Sequence, residues 1–105
     1  MEKIKWYHYL AALFAGFFLT NAVPHFVNGI SGDPFPSPFS DPPGKGLSAP
    51  WVNVLWGFFN FLVGYLLYRA AKISPKHKLS VAILFLGILV TGLMLAMTFA
   101  EKATA

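Results

Sequence analysis

Residues 81–97 read VAILFLGILVTGLMLAM, an apolar run that no charge interrupts. The uncharged stretch extends from Leu79 to Ala100. A helix crossing the hydrocarbon of a bilayer needs roughly 20 mostly apolar residues. A strand of a membrane barrel would alternate apolar with polar positions, and this run does not. The segment is therefore predicted to be a transmembrane helix.

Two more stretches share its character. One runs from Trp6 to about Val27 and the other from about Trp51 to Tyr68, both free of Lys, Arg, Asp and Glu. The reading is an all-α membrane protein, a single domain over residues 1–105. Spans at about 6–27, 51–68 and 79–100 are joined by a Pro/Gly-rich loop (29–50) and a turn (69–78). Composition agrees: 56% of the 105 residues are apolar and 11% charged, where a soluble domain carries about 25% charge. Disordered chains are poor in aromatics, whereas 17% of this chain is Phe, Trp or Tyr. With no cysteine, disulfides, thiolate metal sites and cysteine nucleophiles are excluded. The first span has the basic start and small residues (Thr20, Ala22) of a cleavable signal peptide. Its apolar run continues to Val27, which favours a retained span.

The charges are sorted by side. Lys3, Lys5, Arg69, Lys72, Lys76 and Lys78 fall on one side and Lys45 and Lys102 on the other, six against two. The positive-inside rule then places the N-terminus and the basic turn in the cytoplasm, with the Pro-rich loop and the C-terminus outside. The formal net charge of +4 comes largely from that turn. Arg69, Lys72, Lys76 and Lys78 are expected to meet anionic lipid head groups, and no nucleic-acid partner is expected. Trp6, Tyr7, Tyr9, Trp51, Tyr65 and Tyr68 lie near span ends, as interfacial aromatics do. Ser74-Pro75 is predicted to open the third helix and Ser48-Ala49-Pro50 the second, by serine capping and proline at the first turn. Pro24 is predicted to kink or end the first helix.

The outer segment, GISGDPFPSPFSDPPGKGLSAP from Gly29 to Pro50, holds six of the eight prolines and four of the nine glycines. Phe35 and Phe39 among those prolines predict an ordered loop folded back on the helix ends. Its role is a stiff connection, a lid or a docking surface. Asp33 and Asp41 lack the pattern of a calcium loop.

The polar residues inside the spans are also sorted. Asn21, His25 and Asn28 follow i, i+4, i+7 on the first helix; Asn53, Gly57, Asn60 and Gly64 form a stripe on the second, flanked by Trp56. Polar groups facing lipid would lose their hydrogen bonds, so the two sets are expected to face each other beneath the loop. One reading is a structural hydrogen-bond network. The other is a ligand pocket at His25, since intramembrane ionisable groups are functional by default. His8 and His77 are predicted at the opposite membrane face, so no metal or haem site within one chain is expected. No resident cofactor is expected either, a bound lipid or quinone being the alternative.

Small residues mark packing faces: Ala12, Gly16 and Thr20 on the first helix, Gly57 and Gly64 on the second, and Gly92, Ala96 and Ala100 on the third. Three spans bury little surface, so self-association or contact with other membrane subunits is expected. No carboxylate lies in a span, as a proton-coupled exporter would need, and no catalytic motif is present; an enzyme is not expected.

The elements N-x-x-P-H-F (Asn21, Pro24, His25, Phe26), P-P-G-x-G (Pro42, Pro43, Gly44, Gly46) and N-V-L-W-G (Asn53–Gly57) resemble those of small multi-spanning bacterial membrane proteins, over about 40 residues. The resemblance implies a bacterial inner-membrane location and brings no activity with it. Three functions follow in order: a non-enzymatic structural or accessory subunit of a larger membrane assembly; a binding module for a small apolar ligand, quinone or lipid, at His25; and an oligomeric transport or channel subunit.

Overall fold

The computed structural model describes residues 3–102. Three helices, α1 (Trp6–Ile30), α2 (Pro50–Ala70) and α3 (Lys78–Phe99), account for about two thirds of them. At 1.5 Å per residue, their 25, 21 and 22 residues give lengths of about 31–38 Å. Each is long and apolar enough to cross a membrane, whose hydrocarbon is about 30 Å thick. Large apolar side chains such as Phe58, Leu62, Phe85, Leu89 and Leu93 are exposed, as lipid-facing residues must be.

α1 is the centre of the bundle. It packs against both α2 and α3, and the backbones of α2 and α3 do not approach each other closely. Against α2 the register is antiparallel: a Cβ on Gly57 would stand 2.8 Å from Phe26 N, and one on Gly64 would stand 2.7 Å from Leu19 Cδ2. Gly29 completes the series against Val54. Against α3 the register is parallel. Gly16 meets the backbone of Leu84 and Ile88, and Gly87 meets Leu13 O. Where side chains are absent, backbones approach and gain dispersion contacts that lipid cannot supply equally. α3 buries Ser80, Gly87 and Thr91. Ala12 is buried, whereas Thr20 is half-buried. Gly92 has no atom within 4 Å of where its Cβ would stand, and Ala96 and Ala100 are exposed. The stripe on α3 that packs within the chain is thus the one through Gly87, not the one through Gly92.

Helix boundaries follow local chemistry and correct several sequence expectations. α1 does not end at Pro24 but continues to Ile30. Its end is a Schellman motif: Gly32 N donates to Gly29 O at 3.1 Å and Asp33 N to Asn28 O at 2.9 Å. Gly32 takes φ +77°, a conformation that glycine adopts without penalty. α2 begins at Pro50, where a missing N–H costs nothing, but Ser48 does not cap it; Ala49 is the N-cap. α3 begins at Lys78 with His77 as N-cap, not at Ser74-Pro75. Ser74 Oγ instead accepts from Lys76 N at 3.2 Å and closes a turn.

The loop between α1 and α2 is ordered by its serines. Phe35 and Ser48 form one antiparallel bridge, which returns the chain to α2. Inside that closure Ser37 Oγ lies 2.6 Å from Ser48 Oγ, and Ser40 Oγ donates to Ser37 O at 2.7 Å. A Cβ on Gly46 would collide with the carbonyl of Asp41. Phe35 turns inward and is buried, while Phe39 is exposed with its ring edge-on to Trp56.

Candidate functional site

The site lies where the loop covers the ends of the helices. Asn53, in the first turn of α2, is fully buried. Its Nδ2 donates to Phe35 O at 2.8 Å and approaches Ser48 O at 3.4 Å. Carbonyl oxygens only accept, so the amide orientation is set and Oδ1 points the other way. It lies 2.8 Å from His25 Nδ1 on α1. That nitrogen must therefore carry the proton in the neutral ring, and Nε2 is left a bare acceptor.

The same logic holds two turns further along α2. Asn60 Nδ2 donates to Trp56 O at 2.8 Å. Asn60 Oδ1 is thereby presented to α1, where it accepts from Asn21 Nδ2 at 3.1 Å. Asn21 must show its amide nitrogen to Asn60, so its own Oδ1 is free. Two backbone carbonyls thus dictate, through two asparagines, which atoms His25 and Asn21 leave without a partner.

Aromatic rings close around the imidazole. Phe35, Trp56 and Phe99 have centroids 5.5, 6.4 and 6.1 Å from that of His25, all edge-on. Phe99 comes from the last turn of α3, so all three helices and the loop contribute. Trp56 Nε1 is buried with no hydrogen-bond partner among the described residues. Leaving such a donor unsatisfied costs about 1–3 kcal/mol. Asn21, His25, Ser37, Trp56, Leu95 and Phe99 line a cleft of about 370 Å³, within the roughly 300–1,000 Å³ of small-ligand sites.

Of the six polar-patch candidates, Asn21, His25, Asn53, Trp56 and Asn60 come together here. Asn28 does not. Its Nδ2 donates back to Pro24 O at 2.7 Å, within its own helix. The sequence reading missed Ser37, Ser48 and Phe99. The serines sit in a loop without period, and Phe99 is brought in by the far end of another helix. Among the described residues no three His, Asp or Glu side chains gather as a metal site would require. At the other end of the bundle Tyr68, Arg69, Lys72, Ser74 and His77 line a shallow basic cleft.

These features define a small multi-pass helical membrane protein with one polar cluster beneath a proline-rich loop. The chain matches no family model, no curated protein and no solved structure.

Proposed function

We propose that the chain is a non-enzymatic protein of a bacterial inner membrane, with its N-terminus and basic turn in the cytoplasm, and that it serves as a structural or accessory subunit of a larger membrane assembly. The observation that carries this reading is the open side of α3. A groove of about 630 Å³ runs between α1 and α3, lined by Leu19, Val23, Ile88, Gly92 and Ala96. Gly92 faces open space there. Helices in lipid associate where small residues admit a neighbouring backbone, and Gly92, Ala96 and Ala100 offer such a face to another helix. Arg69, Lys72, Lys76 and Lys78 anchor the opposite end to anionic head groups. Because the chain has no cysteine, Gly92→Cys introduces a single thiol. In native membranes we expect it to cross-link to a second chain, whereas Leu62→Cys on α2 does not. Recovery of a lone monomer without adduct overturns the reading.

The cleft beside His25 favours a second reading, a binding module for a small, largely apolar ligand such as a quinone or a lipid. Its walls are aromatic and aliphatic, and its few polar atoms are oriented.

A further inference from the structure

The polar atoms of the cleft have a sign. His25 is 2% exposed, its Nδ1 is committed to Asn53, and Nε2 is an acceptor without a partner among the described residues. Asn21, one helical turn earlier and on the same cleft, presents a second acceptor, Oδ1. Trp56, whose side chain also lines the cleft, holds one donor, Nε1, which is buried without a partner among the described residues. Ser37, which also lines the cleft, is already occupied, by Ser48 Oγ and by Phe39 N at 3.0 Å; Thr98, exposed and also on the cleft, carries a hydroxyl that either donates or accepts and imposes no sign. No acidic or cationic side chain lines the cleft, so nothing there compensates a charged ligand.

From this set we infer that the cleft binds the neutral, hydroxyl-bearing head of an amphiphile: a diol whose hydroxyl hydrogens are donated to His25 Nε2 and Asn21 Oδ1, while a hydroxyl oxygen accepts from Trp56 Nε1. Only a group that both donates and accepts satisfies all three atoms. A dione, which only accepts, leaves both acceptors bare. The rings of Trp56 and Phe99 and the side chain of Leu95 supply the apolar wall, and the cleft lies beside the end of α3, where an apolar tail reaches lipid directly. Two sources share this head chemistry, an isoprenoid hydroquinone and the glycerol of a monoacyl lipid. The inference rests on the binding-module reading and adds the reduced, hydroxylated state of the ligand.

The test uses the full chain in nanodiscs of defined phospholipid, under anaerobic conditions, with three probes of equal tail length: a decyl-benzohydroquinone, the matching decyl-benzoquinone and monodecanoyl glycerol. Binding is read by calorimetry. We expect at least one diol to bind about tenfold or more tightly than the quinone, and the tighter of the two diols identifies the source. Trp56→Phe keeps an aromatic ring and removes the donor; it is expected to weaken the diol about tenfold, the loss of one hydrogen bond, without lowering the thermal unfolding midpoint of the ligand-free chain. Asn21→Leu is expected to weaken the diol and leave quinone binding less affected. Quinone binding as tight as that of both diols, or Trp56→Phe without effect on the diol, overturns the inference while leaving the binding module standing. Failure of all three probes to bind, with the cleft filled by water alone, overturns both.

Discussion

Asn53 is the residue on which the site depends most. One side chain joins α2 to the loop through Phe35 O and to α1 through His25. Replacing it with leucine, of similar volume, leaves His25 Nδ1–H buried without an acceptor, while Phe35 O keeps its bond from Ser48 N. The expected cost is about 1–3 kcal/mol, read as a lower unfolding midpoint in detergent. A double-mutant cycle of Asn53→Leu with His25→Phe should return a coupling of about 0.6 kcal/mol, with roughly 1.7 as the upper bound for membrane hydrogen bonds. Zero coupling would show the pair to be incidental. Much of this cluster was legible in the sequence. A buried amide must find a partner, and the spacings of Asn21 with His25 and of Asn53 with Asn60 put each pair on one face. Asn28 obeyed the same spacing and still bonded within its own helix, because the Pro24 carbonyl lies one turn below it. The spacing alone does not distinguish Asn28 from Asn21 and His25.

At the scale of the element, glycines divide by what faces them. A Cβ on Gly16 would stand 2.5 Å from Leu84 O, a backbone atom that cannot step aside. Gly16→Ala should therefore separate α1 from α3 and destabilise the fold by about 1–3 kcal/mol, the usual cost of overpacking. Gly92→Ala meets nothing and should leave the isolated chain as stable as before, or more so through helix propensity. Equal effects of the two substitutions would refute the α1–α3 register described here. Both glycines sit in helices four or more residues from a boundary, and a single sequence does not distinguish them. Only the crossing of α1 and α3 at Gly16 and Gly87 does. The spans themselves were readable to within a few residues, since length and hydropathy determine them. Their ends were less so. Gly32 beyond α1 carries the familiar sign of a helix stop, whereas Pro24 lies within the helix. Ser74-Pro75 had the residues of a helix start, but the chain spends them on a turn that brings α3 back to α1.

The whole molecule is an elongated bundle, with α1 packed against both α2 and α3 and extents of 51 × 23 × 20 Å. Its two ends differ in chemistry. One carries the basic turn, and the other carries the loop and an exposed ion pair, Lys45 with Glu101 at 3.7 Å. Exposed pairs contribute little to stability, so this contact is not what holds α3 to the loop; the packing of Phe99 on Phe35, with centroids 4.7 Å apart, does more. The charge bias predicts a sidedness that labelling can read. In intact spheroplasts, Lys45→Cys should react with a membrane-impermeant maleimide and Lys76→Cys should react only after lysis. The opposite pattern would invert the proposed orientation.

The sequence by itself determined the solvent of this protein, its three spans and the separation of its charges and amides. Each depends on residue type and spacing along one chain, and the hydrophobic effect acts on those directly. Tertiary structure decided which helix stands at the centre, which glycine is a contact and which a gap, and which atoms of His25 and Asn21 remain free. These depend on crossings and on carbonyl directions between segments far apart in the chain. A hydrogen bond from Asn53 to a loop carbonyl, 18 residues earlier, is what gives the imidazole on α1 its tautomer.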